Sequence, residues 1–201
     1  MKVLDLTLPL DDKIPVFPGH PKAEFKQVAT IGKEGWNEKR LEFNTHFGTH
    51  IDAPFHMIPD GKKLSDFDIS DFLGQAQVID VSDQAEIVVS EEEIESEFIF
   101  FYTGHSKNIY SGKYYENNPV ISLDTAHMLA HKGVKIVGID SFSPDNEPFE
   151  VHKMLFQHDI LSLENLTNLE KLIGKKFTCI ILPLNILEAD GSPVRVIAIL
   201  N

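Results

Sequence analysis

The chain has 201 residues, 42% of them hydrophobic, which is enough for one globular domain spanning 1–201 with a sizeable core. Thirty-one acidic against 18 basic residues leave a formal charge of −13, and Arg40 and Arg195 are the only arginines. That balance argues against duplex nucleic acid or an anionic membrane as a partner, because both need clustered cations.

No apolar run reaches ~18 residues, so no membrane span is expected. Met1 to Leu10 carries no basic segment followed by an apolar one, so no secretory signal is expected either. The lone Cys179 cannot close an internal disulfide, which fits a reducing cytoplasm. It lies in a buried-strand pattern with no electropositive neighbour, which makes it a core residue rather than a reactive thiol.

Met1 to Leu10 alternates apolar and polar residues and reads as a strand. A loop rich in Pro and Gly follows, and Phe17 and His20 within it are candidates for a pocket wall. Ala23 to Ile31 and Trp36 to Phe47 read as two strands joined by a turn, the second running into the segment from His46 to His56. Pro59 to Lys62 is a turn by residue type. Phe67 to Gly74 is short and helical, and Gln75 to Val81 and Glu86 to Val89 are strands. Ser90 and Glu93 have the capping-box spacing of a helix start. Phe98 to Tyr102, continuously apolar, is a central strand. Gly104 to Pro119 is a long polar loop with three tyrosines, a candidate lid or interface. Ser122 caps a helix to about Lys132, ended by Gly133. Val134 to Ile139 is a second buried strand. Val151 to Phe156 and Glu164 to Ile173 read as helices, and Lys176 to Leu182 and Val194 to Leu200 as closing strands. The mixture predicts an α/β or α+β domain.

His46, His50, Asp52 and His56 all fall at even positions within eleven residues. On an extended chain they share one face, although Gly48 and Pro54 interrupt a regular strand. Imidazole and carboxylate are the groups that bind Zn²⁺, Mn²⁺ or Fe²⁺. The ligands still missing are expected from His152, His158 and nearby glutamates, with Glu164 placed to bridge two cations. A helix-start glutamate also has the plainer role of complementing the helix dipole. The His50-x-Asp52 spacing also matches the facial triad of iron oxygenases, but no arginine follows a distant histidine before Arg195 to hold a co-substrate carboxylate. A serine hydrolase is disfavoured because Gly104 to Asn108 lacks the last glycine of a nucleophile elbow.

The full pattern His46-x-Gly48-Thr49-His50-x-Asp52-x-Pro54-x-His56 resembles the signature of the cyclase family of metal-dependent hydrolases, which includes bacterial kynurenine formamidase and isatin hydrolase. Val16 to Gly19, Tyr102 to Gly104, Val137 to Asp140 with Ser143 and Asp145, and Ala189 to Arg195 resemble further motifs of that family, so the likeness extends along nearly the whole chain. The resemblance implies His46, His50, Asp52, His152 and Glu164 as ligands of one or two divalent cations, Zn²⁺ first and Mn²⁺ second. It implies His56 as general acid/base and Phe17 as a substrate-packing residue, at a position where kynurenine formamidases carry tryptophan. His20 stands where aspartate is usual, and Glu188 where a small residue is usual. The fold implied is a swivelling β/β/α domain with two mixed sheets and a helix layer, assembled as a homodimer or homotetramer. The expected activity is hydrolysis of an amide, or a cyclic amide or ester, of a small aryl substrate. Kynurenine formamidase itself and a non-catalytic metal- or ligand-binding protein are the alternatives.

Overall fold

In the computed structural model, which describes residues 1–200, the chain forms β1 (Lys2–Asp5), β2 (Glu24–Ala29), β3 (Glu38–Glu42), β4 (His50–Asp52), β5 (Leu73–Asp80), β6 (Glu86–Ile87), β7 (Phe98–Tyr102) and β8 (Val120–Ile121). It continues with α1 (Leu123–His131), β9 (Ile136–Ile139), α2 (Glu150–Gln157), β10 (Leu161–Glu164), β11 (Lys176–Pro183) and β12 (Gly191–Leu200). The main sheet runs β1-β12-β11-β5-β7-β9-β10-β4, and β4 then pairs with β12 as well. Seven strands thus close into a barrel-like ring, with β1 attached outside β12. This corrects the expected arrangement of two mixed sheets with a helix layer. The joint is the short strand β4, whose two edges are both taken, by β10 on one side and β12 on the other. The β2–β3 hairpin and the β6–β8 pair are separate two-stranded sheets.

The expected elements are mostly present with shifted bounds: β1 and β3 are shorter than expected, while β5, β11 and β12 are longer. Phe98 to Tyr102 shows why its sequence is apolar without alternation. Phe98, Phe100 and Tyr102 face a core inside the ring, with Leu163, Phe177 and Val196. Ile99 and Phe101 face a second core, formed with Leu129 of α1 and Leu155 of α2. A strand buried on both faces has no polar side to show. Cys179 belongs to the first core, and its burial pushes the thiol pKa up, as a structural cysteine requires.

Three local expectations need correction. Phe67 to Gly74 makes only a 3-10 turn at Ile69–Phe72, after which Leu73 already begins β5. Glu164 to Ile173 is not a helix: Glu164 ends strand β10, and only Leu169–Lys171 makes a single 3-10 turn. The apolar spacing over Leu166, Leu169 and Leu172 serves the ring core instead. The Ser90–Glu93 box closes a single 3-10 turn, with the Ser90 N–H donating to Glu93 Oε2 at 2.8 Å, because no periodic apolar face follows it. Among the described residues, neither α-helix is long and apolar enough to cross a membrane.

Thr49 ties three distant segments together. Its hydroxyl accepts the Leu8 N–H at 2.9 Å and donates to the Asn165 carbonyl at 2.7 Å, fully buried. Thr49→Val keeps the volume and orphans both partners. It should cost roughly 2–4 kcal/mol, seen as a lower urea midpoint with unchanged slope.

Candidate metal centre

Strand β4 presents His50 and Asp52 to the same side, two residues apart. The strand is only three residues long, so the other signature residues reach the site by turns rather than by strand alternation. Gly48 has φ of +63°, a left-handed conformation that glycine adopts without strain, and a Cβ there would collide with Leu10. That kink swings His46 back towards Asp52. Pro54 starts a 3-10 turn that carries His56 to the same spot.

Register supplies the rest. Antiparallel pairing sets Glu164 of β10 opposite His50, and Gly191 of β12 opposite Asp52. Helix α2 brings His152 over the end of β10. Its first turn is held by Asp145, whose Oδ2 accepts the N–H groups of Val151 at 2.8 Å and His152 at 3.1 Å. Asp145 Oδ1 takes the His152 Nδ1 at 2.5 Å, which leaves His152 Nε2 facing Glu164 Oε1 at 3.1 Å and Asp52 Oδ2 at 3.9 Å.

The donor atoms form two triplets that share one carboxylate. His46, Asp52 and His56 lie within ligating reach of a common point, and so do His50, Asp52 and Glu164. His46 Nδ1 sits 2.6 Å from Asp52 Oδ1, and His50 Nε2 is 3.3 Å from both Asp52 Oδ1 and Glu164 Oε2. His50 Nδ1 donates to the Gly48 carbonyl at 2.8 Å, which turns Nε2 inward. The structure therefore brings together all six residues expected there: His46, His50, Asp52, His56, His152 and Glu164. His158 is not among them; it caps α2, with Nδ1 donating to the Met154 carbonyl at 3.0 Å. Arg195 is also elsewhere, paired with Asp5 through Nη2 at 2.6 Å and Nε at 3.0 Å.

Buried charge without pairing or coordination is costly, so the electrostatics of this cluster are informative. Burial alone would lower the pKa of His46, but the charge of Asp52 and hydrogen bonds to Asp190 and Asp52 push it up to about 10. His152 is likewise disfavoured by burial and pushed up to about 10 by Asp145 and Glu164. Burial would raise Asp52, and the surrounding His46 and His50 hold it far below the usual carboxylate range instead. His56 differs. Burial lowers its pKa, and repulsion from His46 and His152 adds to this against the pull of Asp52. Its side chain is also 28% exposed, against 2–6% for His50, Asp52, His152 and Glu164. An imidazole that stays neutral at the open side of the cluster is suited to proton transfer.

The cluster forms the floor of a cavity of about 500 Å³. Phe17 lines it together with Tyr115 and Phe142. The Phe17 and Tyr115 rings meet edge-on at 5.8 Å, and Tyr115 and Phe142 centroids are 4.9 Å apart. His20 lies beside Phe17, 5.6 Å between centroids. Gly104 to Pro119 thus supplies a wall of the site. It is pinned there by the Tyr114 hydroxyl, which donates to Asn165 Oδ1 at 2.6 Å, and by His105 Nε2, which donates to the Tyr114 carbonyl at 2.7 Å.

Sequence reasoning assigned no role to Asp145, Asp190 or Tyr115. Asp145 and Asp190 lay inside segments already singled out, but nothing local distinguishes a carboxylate that faces histidine from one that caps a turn. Gly191, next to Asp190, has a reason of its own: a Cβ there would come within 2.7 Å of His46 Cε1 and 3.0 Å of the Ile51 carbonyl. Gly191→Ala should displace His46. The expected result is a ~10–100-fold weaker metal affinity in chelator competition, with a stability loss of about 1–3 kcal/mol.

The Cyclase family model, described as "Putative cyclase", matches residues 4–146. A kynurenine formamidase from Bacillus cytotoxicus is 37% identical over 202 residues, 96% of this chain and 95% of that protein. An isatin hydrolase bound to the product analogue thioisatinate superposes with a TM-score of 0.89 at 22% identity, over 99% of this chain and 92% of that one. A predicted metal-dependent hydrolase from Bacillus stearothermophilus gives a TM-score of 0.80 at 26% identity, over 98% and 97%.

Proposed function

This chain belongs to the cyclase family of metal-dependent hydrolases, and from that premise we propose that it hydrolyses the C–N bond of an amide, or a cyclic amide or ester, in a small aryl-containing substrate. The observation that carries the reading is a buried set of imidazoles and carboxylates, two triplets sharing Asp52, at the floor of an aromatic-walled cavity. The donor set fits a divalent cation: three histidines and two carboxylates converge, and each histidine has its second nitrogen already held, His46 Nε2 by Asp190, His50 Nδ1 by the Gly48 carbonyl and His152 Nδ1 by Asp145, as ligating imidazoles do. His46, His50, Asp52, His152 and Glu164 would hold it. Zn²⁺ is the first candidate and Mn²⁺ the second, since imidazole and carboxylate suit both; the shared Asp52 allows one ion or two. When bound, such a cation polarises the substrate carbonyl and lowers the pKa of water to about 7.

The chain's own residues do the rest. His56 accepts the proton of the attacking water and returns it to the nitrogen of the leaving amine. Water adds to the carbonyl carbon, the C–N bond breaks, and a carboxylic acid and an amine result. Phe17, Tyr115 and Phe142 pack the aryl ring, and rings meeting edge to face at such separations gain about 0.5–1.5 kcal/mol beyond area burial. The narrower reading, N-formylkynurenine as substrate, is supported by the name of the Bacillus cytotoxicus relative. The cytoplasm is the compartment this chemistry and the buried free Cys179 favour, and a homodimer or homotetramer is the proposed assembly.

The test is a panel of N-formylkynurenine, isatin and simple lactones, run with Zn²⁺ and with Mn²⁺ after metal stripping. Activity should vanish on stripping and return with one of the ions. Undiminished amide hydrolysis by the stripped protein would sink the proposal.

A further inference from the structure

Asp190 has no place in the mechanism above, yet it touches two of the histidines that do. Its Oδ2 lies 2.8 Å from His46 Nε2 and 3.4 Å from His56 Nδ1. The two imidazoles lie close together, 4.0 Å between centroids and tilted by 38°. The other oxygen, Oδ1, accepts the Thr45 hydroxyl at 3.0 Å. The carboxylate's backbone is tied down as well: the Asp190 carbonyl accepts the Ala53 N–H at 2.8 Å, immediately before β12 pairs with β4. One rigidly held acceptor therefore faces two imidazole nitrogens.

We propose that Asp190 is a positioning residue that sets the ring orientation and tautomer of both His46 and His56, an inference that rests on the hydrolase reading for its kinetic consequences but not for its geometry. A carboxylate can only accept, so each nitrogen turned towards it carries a proton. His46 has a carboxylate at each nitrogen, Asp190 at Nε2 and Asp52 at Nδ1, so both carry protons until a cation at the Asp52 side displaces the one on Nδ1, while Asp190 keeps the other on Nε2. For His56 the proton sits on Nδ1, and Nε2 is the nitrogen left to accept a proton from water. The second arrangement is the aspartate–histidine logic by which an acid holds a general base in its working tautomer. The 3.4 Å contact with His56 is within ion-pair range but does not have hydrogen-bond geometry in this structure, and the proposal requires it to tighten when substrate binds. The first is a carboxylate–histidine–metal relay. A single residue serving both couples the ligand to the base, and it explains why Asp190 is followed by a glycine that clears His46.

The experiment uses the full chain loaded with Zn²⁺ and labelled with ¹⁵N-histidine. Long-range ¹H–¹⁵N correlation reports which nitrogen of His56 carries the proton, independently of turnover. Wild type should show His56 protonated at Nδ1. Asp190→Asn should lose that preference, because its amide can donate to the same nitrogen. It should also lose roughly 10²–10⁴ in kcat at saturating metal, by analogy of role with other orienting carboxylates, and bind Zn²⁺ ~10–100-fold more weakly. Asp190→Glu should recover part of the kcat. A carboxylate that merely holds the turn to Thr45 would not move the tautomer. The proposal is overturned if wild-type His56 carries its proton on Nε2, a result readable even if Asp190→Asn does not fold. It is also overturned if the kcat loss disappears once metal saturates. Wild type inactive on every amide and ester, with the Nδ1 tautomer present, would instead count against the hydrolase reading alone.

Discussion

Asp52→Asn is expected to lose both bound metal and turnover, the largest effect of any single substitution in this protein. Asp52 is the one residue common to the two triplets, so replacing it breaks both at once. Asparagine keeps the shape but presents a neutral oxygen and an NH₂ group. One or the other must face His46 Nδ1, now 2.6 Å from an anionic oxygen. The charge matters as much as the contact. With its pKa held far down by the surrounding histidines, Asp52 is anionic throughout the physiological range. Losing the cation returns water from a pKa of about 7 to 15.7, so activity should fall by roughly 10⁴ or more. Metal content after dialysis, by atomic emission, and kcat on an aryl formamide are the measurements. Full occupancy with activity within tenfold of wild type would remove Asp52 from the site.

The second large effect separates two roles that geometry alone places side by side. His56 lies within ligating reach of His46 and Asp52, so it could be a ligand; its greater exposure and lowered pKa favour the proton carrier. His56→Ala should therefore keep its metal and lose roughly 10²–10⁴ in kcat. A general base must be neutral to act. Because burial, the largest cause, lowers the His56 pKa, the acidic limb of kcat/KM should inflect below the ordinary histidine value of about 6.5. Activity is then present above that inflection and lost as pH falls through it. In His56→Ala the limb should flatten. A variant that loses metal in proportion to activity would make His56 a ligand instead.

Much of the site was legible in one stretch of sequence. His46, His50, Asp52 and His56 announce a metal centre because four donor-type side chains in eleven residues are hard to place otherwise, and all four meet in the structure. The reason offered for their meeting was only partly right. Alternation along a strand accounts for His50 and Asp52, while Gly48 and the turn at Pro54 bring in the outer two. His152 and Glu164 could be nominated by residue type, and by family likeness, but not by any local rule. Leu166, Leu169 and Leu172 recur at a spacing compatible with a helix over Glu164 to Ile173, and a loop packed on the ring core satisfies that spacing equally.

By itself, then, the sequence determined the donor chemistry and a mixed α/β composition with doubly buried strands. Those properties follow from residue identity, charge and short-range periodicity, which need no knowledge of distant neighbours. Only the tertiary structure decided that the sheet closes on itself, that Glu164 ends a strand opposite His50, and that Asp190, 144 residues from His46, completes the cluster. All three depend on β4 being paired on both edges, by β10 and by β12. Which strands become neighbours is settled by packing of the whole core, and no spacing within eleven residues encodes it.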